Sequence, residues 1–389
     1  MIKRLKNIYH YLLAWLSNIL CGNPSRKLYV IGVTGTKGKS MTAELIATAL
    51  NACGKRTAII SSAHIVIGEK EDKNFSGNTM PGRGKIQRIL KKAVKEGCRY
   101  AVIEATSEGV LQHRHKFIEW DAAVLTNLHP EHIEHHGSFE NYREAKLGFF
   151  RYAACSPKQK KLFFINKEDE NAEYFSEAAG DNQKIFFKGV FLKANYAAAI
   201  AVAESQGCNT DMVGDALFKF KGLSGRVETI TEKPFKVIVD YAHTPDSLEE
   251  VYKWAALPFK IEGASNKKMI CVLGSAGGGR DKWKRPKMGE IASRYCDEII
   301  ITNEDPYDED PMEIINSVAE GAEKSSKKVF KIIDRQEAID KAVTLANEGD
   351  VVILTGKGSE PYIHLAKGKK IEWSEKEAVM KAIKDRNSV

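Results

Sequence analysis

No C-x-x-C pair occurs among the seven cysteines of this 389-residue chain, and Cys21, Cys53, Cys98, Cys155, Cys208, Cys271 and Cys296 stand far apart. An odd, scattered set argues against a disulfide framework and against a zinc ribbon, and it fits a reducing cytoplasm. Long apolar runs are missing too. Residues 1–20 place Ile2, Leu5, Ile8, Tyr9, Leu12, Leu13, Leu16, Ile19 and Leu20 at helical spacing behind Lys3, Arg4 and Lys6. That stretch is too short and too interrupted to span a bilayer, and Asn18-Ile-Leu-Cys-Gly22 lacks a small-residue cleavage site. The expectation is a helix docked on the main body; a helix lying on a membrane surface and a signal segment are the alternatives. A large excess of one charge is also absent. Against 51 Asp and Glu stand 59 Lys and Arg, a net +8 spread along the chain. Nucleic acid is therefore not required, and a polyanionic small substrate is well served. No solenoid-period repeat and no low-complexity tract occurs.

What is present is a globular composition, 43% hydrophobic and 28% charged, with length for two domains or three. The chain is organised around Tyr29-Val-Ile-Gly-Val-Thr-Gly-Thr-Lys-Gly-Lys-Ser40. Tyr29–Val33 reads as a strand, Gly35 and Gly38 as a tight turn, and Met41–Ala52 as a helix. Such a turn gathers backbone N–H groups at a helix N-terminus and attracts phosphate. Gly35, Thr36, Lys37 and Gly38 would cradle it, Lys39 would meet the terminal phosphates, and Ser40 would suit Mg²⁺. Val33 replaces the first Gly of the full G-x-x-x-x-G-K-[ST] pattern. A bland glycine turn is the competing reading.

Strands are expected at 56–61, 100–105, 122–126, 162–166 and 184–187, with helices at 85–96, 139–150 and 194–205. Strands alternating with helices imply a parallel α/β sheet. Gly222-Leu-Ser-Gly-Arg226 punctuates the chain. Beyond it, strands at 236–240, 269–273, 298–302 and 350–355 alternate with helices at 247–254, 288–295, 312–323 and 335–346, a second doubly wound domain.

Glu104 ends a buried strand, where an open parallel sheet binds ligands, and its carboxylate could hold Mg²⁺ beside Ser40; a capping or salt-bridged Glu is the plain alternative. His129-Pro-Glu-His-Ile-Glu-His-His136 holds four His without the H-E-x-x-H spacing. Most of these would be surface groups, with one meeting a metal. Lys146 is by spacing an ordinary helix lysine. Asp240, after a strand, could take a ribose hydroxyl. Gly277-Gly-Gly-Arg-Asp-Lys282 is a cation-rich glycine loop able to clamp a phosphoryl group, or simply a solvated basic loop.

Taken together these pieces resemble the Mur ligase family, in particular the branch that adds the third residue to a UDP-N-acetylmuramoyl-dipeptide. The matching segments are Gly35–Ser40, Asn78–Pro81, Glu104–Gly109, Leu111–Arg114, Thr126–His132, Tyr142–Lys146, Asn195–Ala199, Gly225–Glu228, Asp240–Pro245, Gly278–Lys282 and Gly356–Glu360, in family order. The resemblance implies an α/β fold: a P-loop-type ATPase domain at 27–225 with a parallel sheet, then a Rossmann-like domain at 226–389, behind an extension at 1–26. It implies a cytoplasmic ATP-dependent carboxylate–amine ligase of cell-wall precursor synthesis, acting through an acyl phosphate. Lys39 and Ser40 would hold ATP phosphates and Mg²⁺, with Glu104 sharing the metal. His132 would hold a second Mg²⁺ through a carbamylated Lys146, because CO₂ turns a cation into an anion. Asn127, Asn195, Arg226, Asp240 and His243 would contact the nucleotide, and Arg280 the transferring phosphoryl group. Thr79, Ser107 and Arg114 would hold the acidic acceptor, and Asp305 and Glu360 the incoming amino acid.

Two departures follow. Members of this branch carry about a hundred residues ahead of the first strand to hold UDP; here about 27 precede it, so UDP binding through such a domain is expected to be lost. Folylpolyglutamate synthetases, which also lack it, are the alternative model. Tyr307, in Glu304-Asp-Pro-Tyr307, stands where diaminopimelate-adding enzymes have an Arg, which disfavours that amino acid. A P-loop phosphotransferase or ATPase, and a non-catalytic ATP-binding partner, are the rivals. The phosphotransferase would leave Asp240–Pro245 and the second glycine loop without a purpose. A swing of the C-terminal domain about Gly222–Arg226 is expected.

Overall fold

The computed structural model describes residues 2–62, 64–74, 79–82, 84–129, 136–256, 267–279 and 281–387, with only the backbone course of 2–6 and 73. The chain divides into two compact units, Met1–Phe220 and Lys221–Val389. The cut precedes Gly222 and Gly225, and both glycines pack within the second unit, Gly225 against Gly358 and Ser359.

Unit 1 opens with α1 (Ile2–Cys21), then β1 (Tyr29–Thr34), α2 (Lys39–Ala52), β2 (Thr57–Ile60), β3 (His64–Ile67), β4 (Lys70–Lys73), α3 (Lys85–Lys95), β5 (Tyr100–Glu104), α4 (Ser107–Leu111), β6 (Ala122–Leu125), β7 (Leu162–Asn166) and β8 (Gln183–Phe187). Helices Phe139–Ala154, Ala172–Ala178, Leu192–Ser205 and Thr210–Phe218 complete it. The sheet runs β4-β3-β2-β5-β1-β6-β7-β8. It is parallel from β2 to β8, with β3 and β4 antiparallel at one edge. Strands β1, β5 and β6 are apolar on both faces because helices cover both, as parallel sheets require. Helix α3 shows the helical period directly: Ile86, Ile89, Leu90 and Ala93 are buried while Lys91, Lys92 and Lys95 face out. The core is aromatic where Phe139–Ala154 lies on the sheet. Phe149 meets Trp120 edge-on at 5.0 Å and Phe150 meets Phe175 at 4.9 Å, each buried ring contributing roughly 2–3 kcal/mol.

Helix α1 docks on the main body, on the side of α3. Its inward side is only weakly apolar, with His10, Leu13, Ala14 and Ser17 facing the body, while Leu12, Trp15, Leu16, Ile19 and Leu20 on the other side are exposed. Among the described residues no helix is long and apolar enough to cross a membrane.

Unit 2 holds β9 (Glu228–Thr231), β10 (Lys236–Val239), β11 (Met269–Leu273), β12 (Glu298–Thr302), β13 (Lys328–Ile332) and β14 (Val351–Leu354) in the order β13-β12-β11-β14-β10-β9, with the hairpin β15 (Tyr362–His364) and β16 (Lys370–Glu372). Only β9 runs antiparallel in the larger sheet. Helices Lys284–Tyr295 and Pro311–Ala322 cross through glycine: a Cβ on Gly289 would sit 1.9 Å from the Val318 carbonyl oxygen, and one on Gly321 1.8 Å from that of Pro286. Backbone meets backbone there, so any larger residue would force the helices apart.

The cysteine reading needs correcting. Cys271 of β11 and Cys296, which lies between the helix Lys284–Tyr295 and β12, are joined in a disulfide with their Cα atoms 6.0 Å apart. Their separation of 25 residues carries no recognisable spacing; the parallel pairing of β11 with β12, which starts just after Cys296, brings them together. The other five cysteines are free.

Candidate active site

The loop after β1 is shaped by contact. Gly35 has φ 147°, and a Cβ there would fall 2.0 Å from Thr126 Oγ1 and 2.9 Å from the Asn127 carbonyl oxygen, so only glycine lets the loop press on the chain leaving β6. Asn127 clamps the same loop: its Oδ1 accepts from the Lys37 N–H at 2.9 Å and its Nδ2 donates to the Lys37 carbonyl at 3.0 Å. Thr36 Oγ1 accepts from the His129 N–H at 3.0 Å and lies 3.2 Å from the Tyr142 hydroxyl. Helix α2 then starts from Gly38 with no side-chain cap and no acidic residue in its first turn. Its leading N–H groups and the positive end of its dipole are left for an anion.

Two lysines converge on this turn. Lys39 Nζ donates to the carbonyls of Thr36 at 2.8 Å and Gly35 at 3.1 Å. Lys146, 1% exposed, comes from the helix behind the sheet and donates to the same Gly35 carbonyl at 2.6 Å. Its ammonium also lies 4.7 Å from the Tyr142 ring. Cation hydrogen bonds to one carbonyl from two directions concentrate positive potential at the phosphate-binding turn.

Beside the lysines is a set of hard oxygens. Glu104, at the end of β5 and paired in register with Val33, accepts from the Ser62 N–H at 2.8 Å. The Ser62 hydroxyl lies 2.9 Å from that of Ser40. Carboxylate and hydroxyl oxygens without nitrogen or sulfur suit Mg²⁺, so Ser40 and Glu104 fit that ion. Among the described residues no group of three or more His, Cys, Asp or Glu is placed to hold a metal ion. Ser62 was missed from sequence; its only signal is its place just past the strand expected at 56–61. His132 and Arg280 lie outside the described residues.

The residues assigned to the acceptor also come together within unit 1. Arg114 donates to the Met80 carbonyl, next to Thr79, and to Gln112 Oε1. Ser107 opens α4, with its hydroxyl 3.1 Å from His136 Nε2, and the His136 ring meets Tyr142 edge-on. Asn195 is 3% exposed, against Gly38, and its Oδ1 accepts from Thr42 Oγ1 at 3.1 Å.

In unit 2, Asp240 follows β10 and commits both oxygens to backbone. Oδ1 accepts from Ala242 N–H at 2.7 Å and Oδ2 from Val227 N–H at 2.8 Å. Burial pushes its carboxyl up despite those bonds. Arg226 lies over the Tyr241 ring at 5.4 Å, and His243 Nδ1 is 2.8 Å from the Tyr241 carbonyl oxygen. Lys357, fully buried, is a residue that sequence reasoning passed over. Its Nζ pairs with Asp305 at 3.0 Å and Glu360 at 2.9 Å, and Tyr241 donates to Glu360 at 2.8 Å. Its Gly-Lys-Gly setting was visible, but its pairing was not. Tyr307, at φ 51°, stacks on His364 with ring centres 5.3 Å apart.

Glu304 is buried beside this cluster, and desolvation pushes its carboxyl up to about 7, against the pull of Arg335 and Lys357. A folded-state value above the ordinary 4.5 means that the native chain keeps a proton that the unfolded chain loses as pH rises between the two. This group's contribution therefore falls across that window and levels off above it. A Glu304→Gln variant, neutral throughout, is expected to match the parent near pH 4 and to exceed it by about 3 kcal/mol at pH 8. Urea unfolding at both pH values measures the difference.

Fold and loop together define a nucleotide-binding protein of the P-loop type. The Mur ligase middle domain matches residues 33–228 and the Mur ligase glutamate ligase domain residues 225–358. The UDP-N-acetylmuramoyl-L-alanyl-D-glutamate–2,6-diaminopimelate ligase of Syntrophomonas wolfei is 33% identical over 96% of this chain and 81% of that protein. A solved ligase of the same description superposes with TM-score 0.66 at 27% identity, over 92% of this chain and 79% of that one. A folylpolyglutamate synthase of Mycobacterium tuberculosis superposes with TM-score 0.67 at 16% identity, over 89% and 92%, a likeness of fold alone. The chain belongs to the Mur ligase family, and it is an ATP-dependent acid–amino-acid ligase.

Proposed function

We propose that this ligase joins an amino acid to an acidic acceptor of the UDP-N-acetylmuramoyl-peptide type, in the cytoplasm. The observation that carries this reading is the convergence of Lys39 and Lys146 on the Gly35 carbonyl beside the Ser40–Glu104 oxygens. The relatives' names supply the substrate class.

The loop backbone from Gly35 to Ser40 and the α2 N-terminus hold the ATP phosphates, and Lys39 meets the γ-phosphoryl group. Ser40 and Glu104 hold Mg²⁺, which draws charge from the phosphate oxygens. Thr79, Ser107 and Arg114 orient the acceptor. Its carboxylate oxygen bonds to the γ-phosphorus as the bond to ADP breaks, giving an acyl phosphate. The amino-acid nitrogen then attacks the acyl carbon, phosphate leaves, and the nitrogen loses a proton. Asn127, Asn195, Arg226, Asp240 and His243 serve the nucleotide, and Arg280 the transferring group. Asn127 acts through its clamp on Lys37. Carbamylation of Lys146 would turn its cation into an oxygen donor for a second Mg²⁺ shared with His132. Asp305 and Glu360 face the incoming amino acid with Lys357 between them. Tyr307 offers no charge for a distal carboxylate, which disfavours diaminopimelate.

A phosphate-release screen of candidate UDP-muramoyl peptides and folates against the amino acids tests the reading. Release that requires both an acceptor and an amine, matched by the mass of the amide, is expected. Release with ATP alone would indicate a simple ATPase, and turnover confined to folates would replace the acceptor class.

A further inference from the structure

Helix α1 presents its more apolar face to solvent. It is fixed to unit 1 from the opposite side. Ser17 meets the start of α3, where a Cβ on Gly84 would sit 2.5 Å from the Ser17 Cβ. Tyr11 meets Phe117 edge-on, with ring centres 5.1 Å apart. An amphipathic helix ordinarily gives its apolar stripe to the core and its charges to water. Here the stripe points outward. Ile8, Leu12, Trp15 and Ile19 recur at the helical period, flanked by Tyr9, Leu16 and Leu20, and these side chains are 46–70% exposed. Residues 7–21 contain no Asp, Glu, Lys or Arg, so no charge on the helix solvates this face. Apolar residues scattered singly over a surface need no explanation, but a continuous stripe of them marks an interaction surface.

The chemistry of the same helix selects the occupant. Its sequence opens with Lys3, Arg4 and Lys6, and no Asp or Glu occurs within residues 1–43. A cationic first stretch followed by an uncharged stripe complements an anionic lipid surface, where basic groups meet headgroups and apolar side chains reach the acyl boundary. Tyr9 and Trp15 are the ring types enriched at that depth. A second copy would set one acid-free helix against another, with no opposite charge to fix the pairing. Among the described residues no helix is long and apolar enough to cross a membrane, so α1 would lie in the plane of the surface. We propose that the outer face of α1 is a docking surface for an anionic membrane leaflet, while its inner side stays on unit 1. The ligase is thereby held at a lipid surface. This goes beyond the ligase reading and does not depend on it, because no residue of the phosphate loop or of the acceptor site belongs to α1.

The test is sedimentation of the full chain with two kinds of vesicle, phosphatidylcholine alone and phosphatidylcholine with an equal part of phosphatidylglycerol. The parent is expected to bind the mixed vesicles about ten-fold or more tightly than the neutral ones, and to lose that preference in high salt. A Leu12→Asp/Trp15→Asp/Ile19→Asp variant is expected to bind the mixed vesicles at least about ten-fold more weakly than the parent. Those three side chains lie on the exposed side, so circular dichroism melting should stay at the parental value and serves as the folding control. A Lys3→Glu/Arg4→Glu/Lys6→Glu variant, with the apolar stripe intact, is expected to lose the preference for phosphatidylglycerol. No sedimentation of the parent with either vesicle overturns the proposal, as does equal sedimentation of the parent and the Asp variant. A concentration-dependent dimer in analytical ultracentrifugation that the Asp variant abolishes, without vesicle binding by the parent, also overturns it and assigns the face to a second copy. Vesicle binding that the Asp variant loses, in a chain that ligates no acceptor, would keep the docking surface and remove the proposed function.

Discussion

Lys39→Ala is expected to lower kcat for ADP formation about 1,000-fold, with little change in thermal stability. The size follows from the position of the charge. Lys39 Nζ is held by the carbonyls of Gly35 and Thr36, at the turn before an uncapped helix. A preorganised cation that meets charge developing in the transition state costs nothing to reorganise during reaction, and losing one such donor typically removes 10²–10³ in rate. The fold should tolerate the change, because the Gly35 carbonyl keeps Lys146 as a donor and the loop stays clamped by Asn127. Single-turnover phosphate release, with circular dichroism melting as the control, measures both. A variant that turns over at the parental rate would remove the phosphate loop from the chemistry.

That loop was readable because its glycines and its strand-to-helix passage are local. Gly35 and Gly38 mark a backbone that other residues resist, and Tyr29–Val33 is a short run of β-forming residues. The central strands were readable for the same reason: each is a short apolar run between turns. The edges were not. Strands β4, reading Lys-Glu-Asp-Lys, and β9, reading Glu-Thr-Ile-Thr, carry too few apolar residues for a period to show, and only their neighbours make them strands. The C-terminal helix Glu375–Arg386 also went unread, its buried stripe of Ala378, Val379 and Ala382 being short and small.

Within the site, residue type was legible and partnership was not. Glu104 could be placed at a strand end, but its bond to Ser62 depends on β2 and β5 being neighbours. Asp240 has the position of a ribose ligand in the sequence, yet in the structure its two oxygens hold the backbone of Val227 and Ala242. Its nucleotide role would have to act through that loop, or through a rearrangement of those two bonds. Lys357 looked like one more lysine in a glycine-rich turn until burial tied it to Asp305 and Glu360. Burying one charge with two opposite partners is a tertiary event, and no spacing announces it.

Lys146 gives the second large effect, and one that separates two chemical states. Lys146→Ala removes a buried ammonium from the Gly35 carbonyl and is expected to lower kcat by about 100- to 1,000-fold. If the working group is the amine, a small alkylammonium should refill the cavity and restore turnover. If it is the carbamate, the alkylammonium should fail and acetate or propionate should succeed, because what is missing is then an oxygen anion for Mg²⁺. The carbamate reading predicts the second pattern. It predicts also that stripping CO₂ and bicarbonate from the parent enzyme lowers its rate, that returning them restores it, and that the alanine variant ignores both treatments. Rescue by the ammonium alone would leave Lys146 as a fixed cation that holds the Gly35 turn, and the second metal would then need a different oxygen.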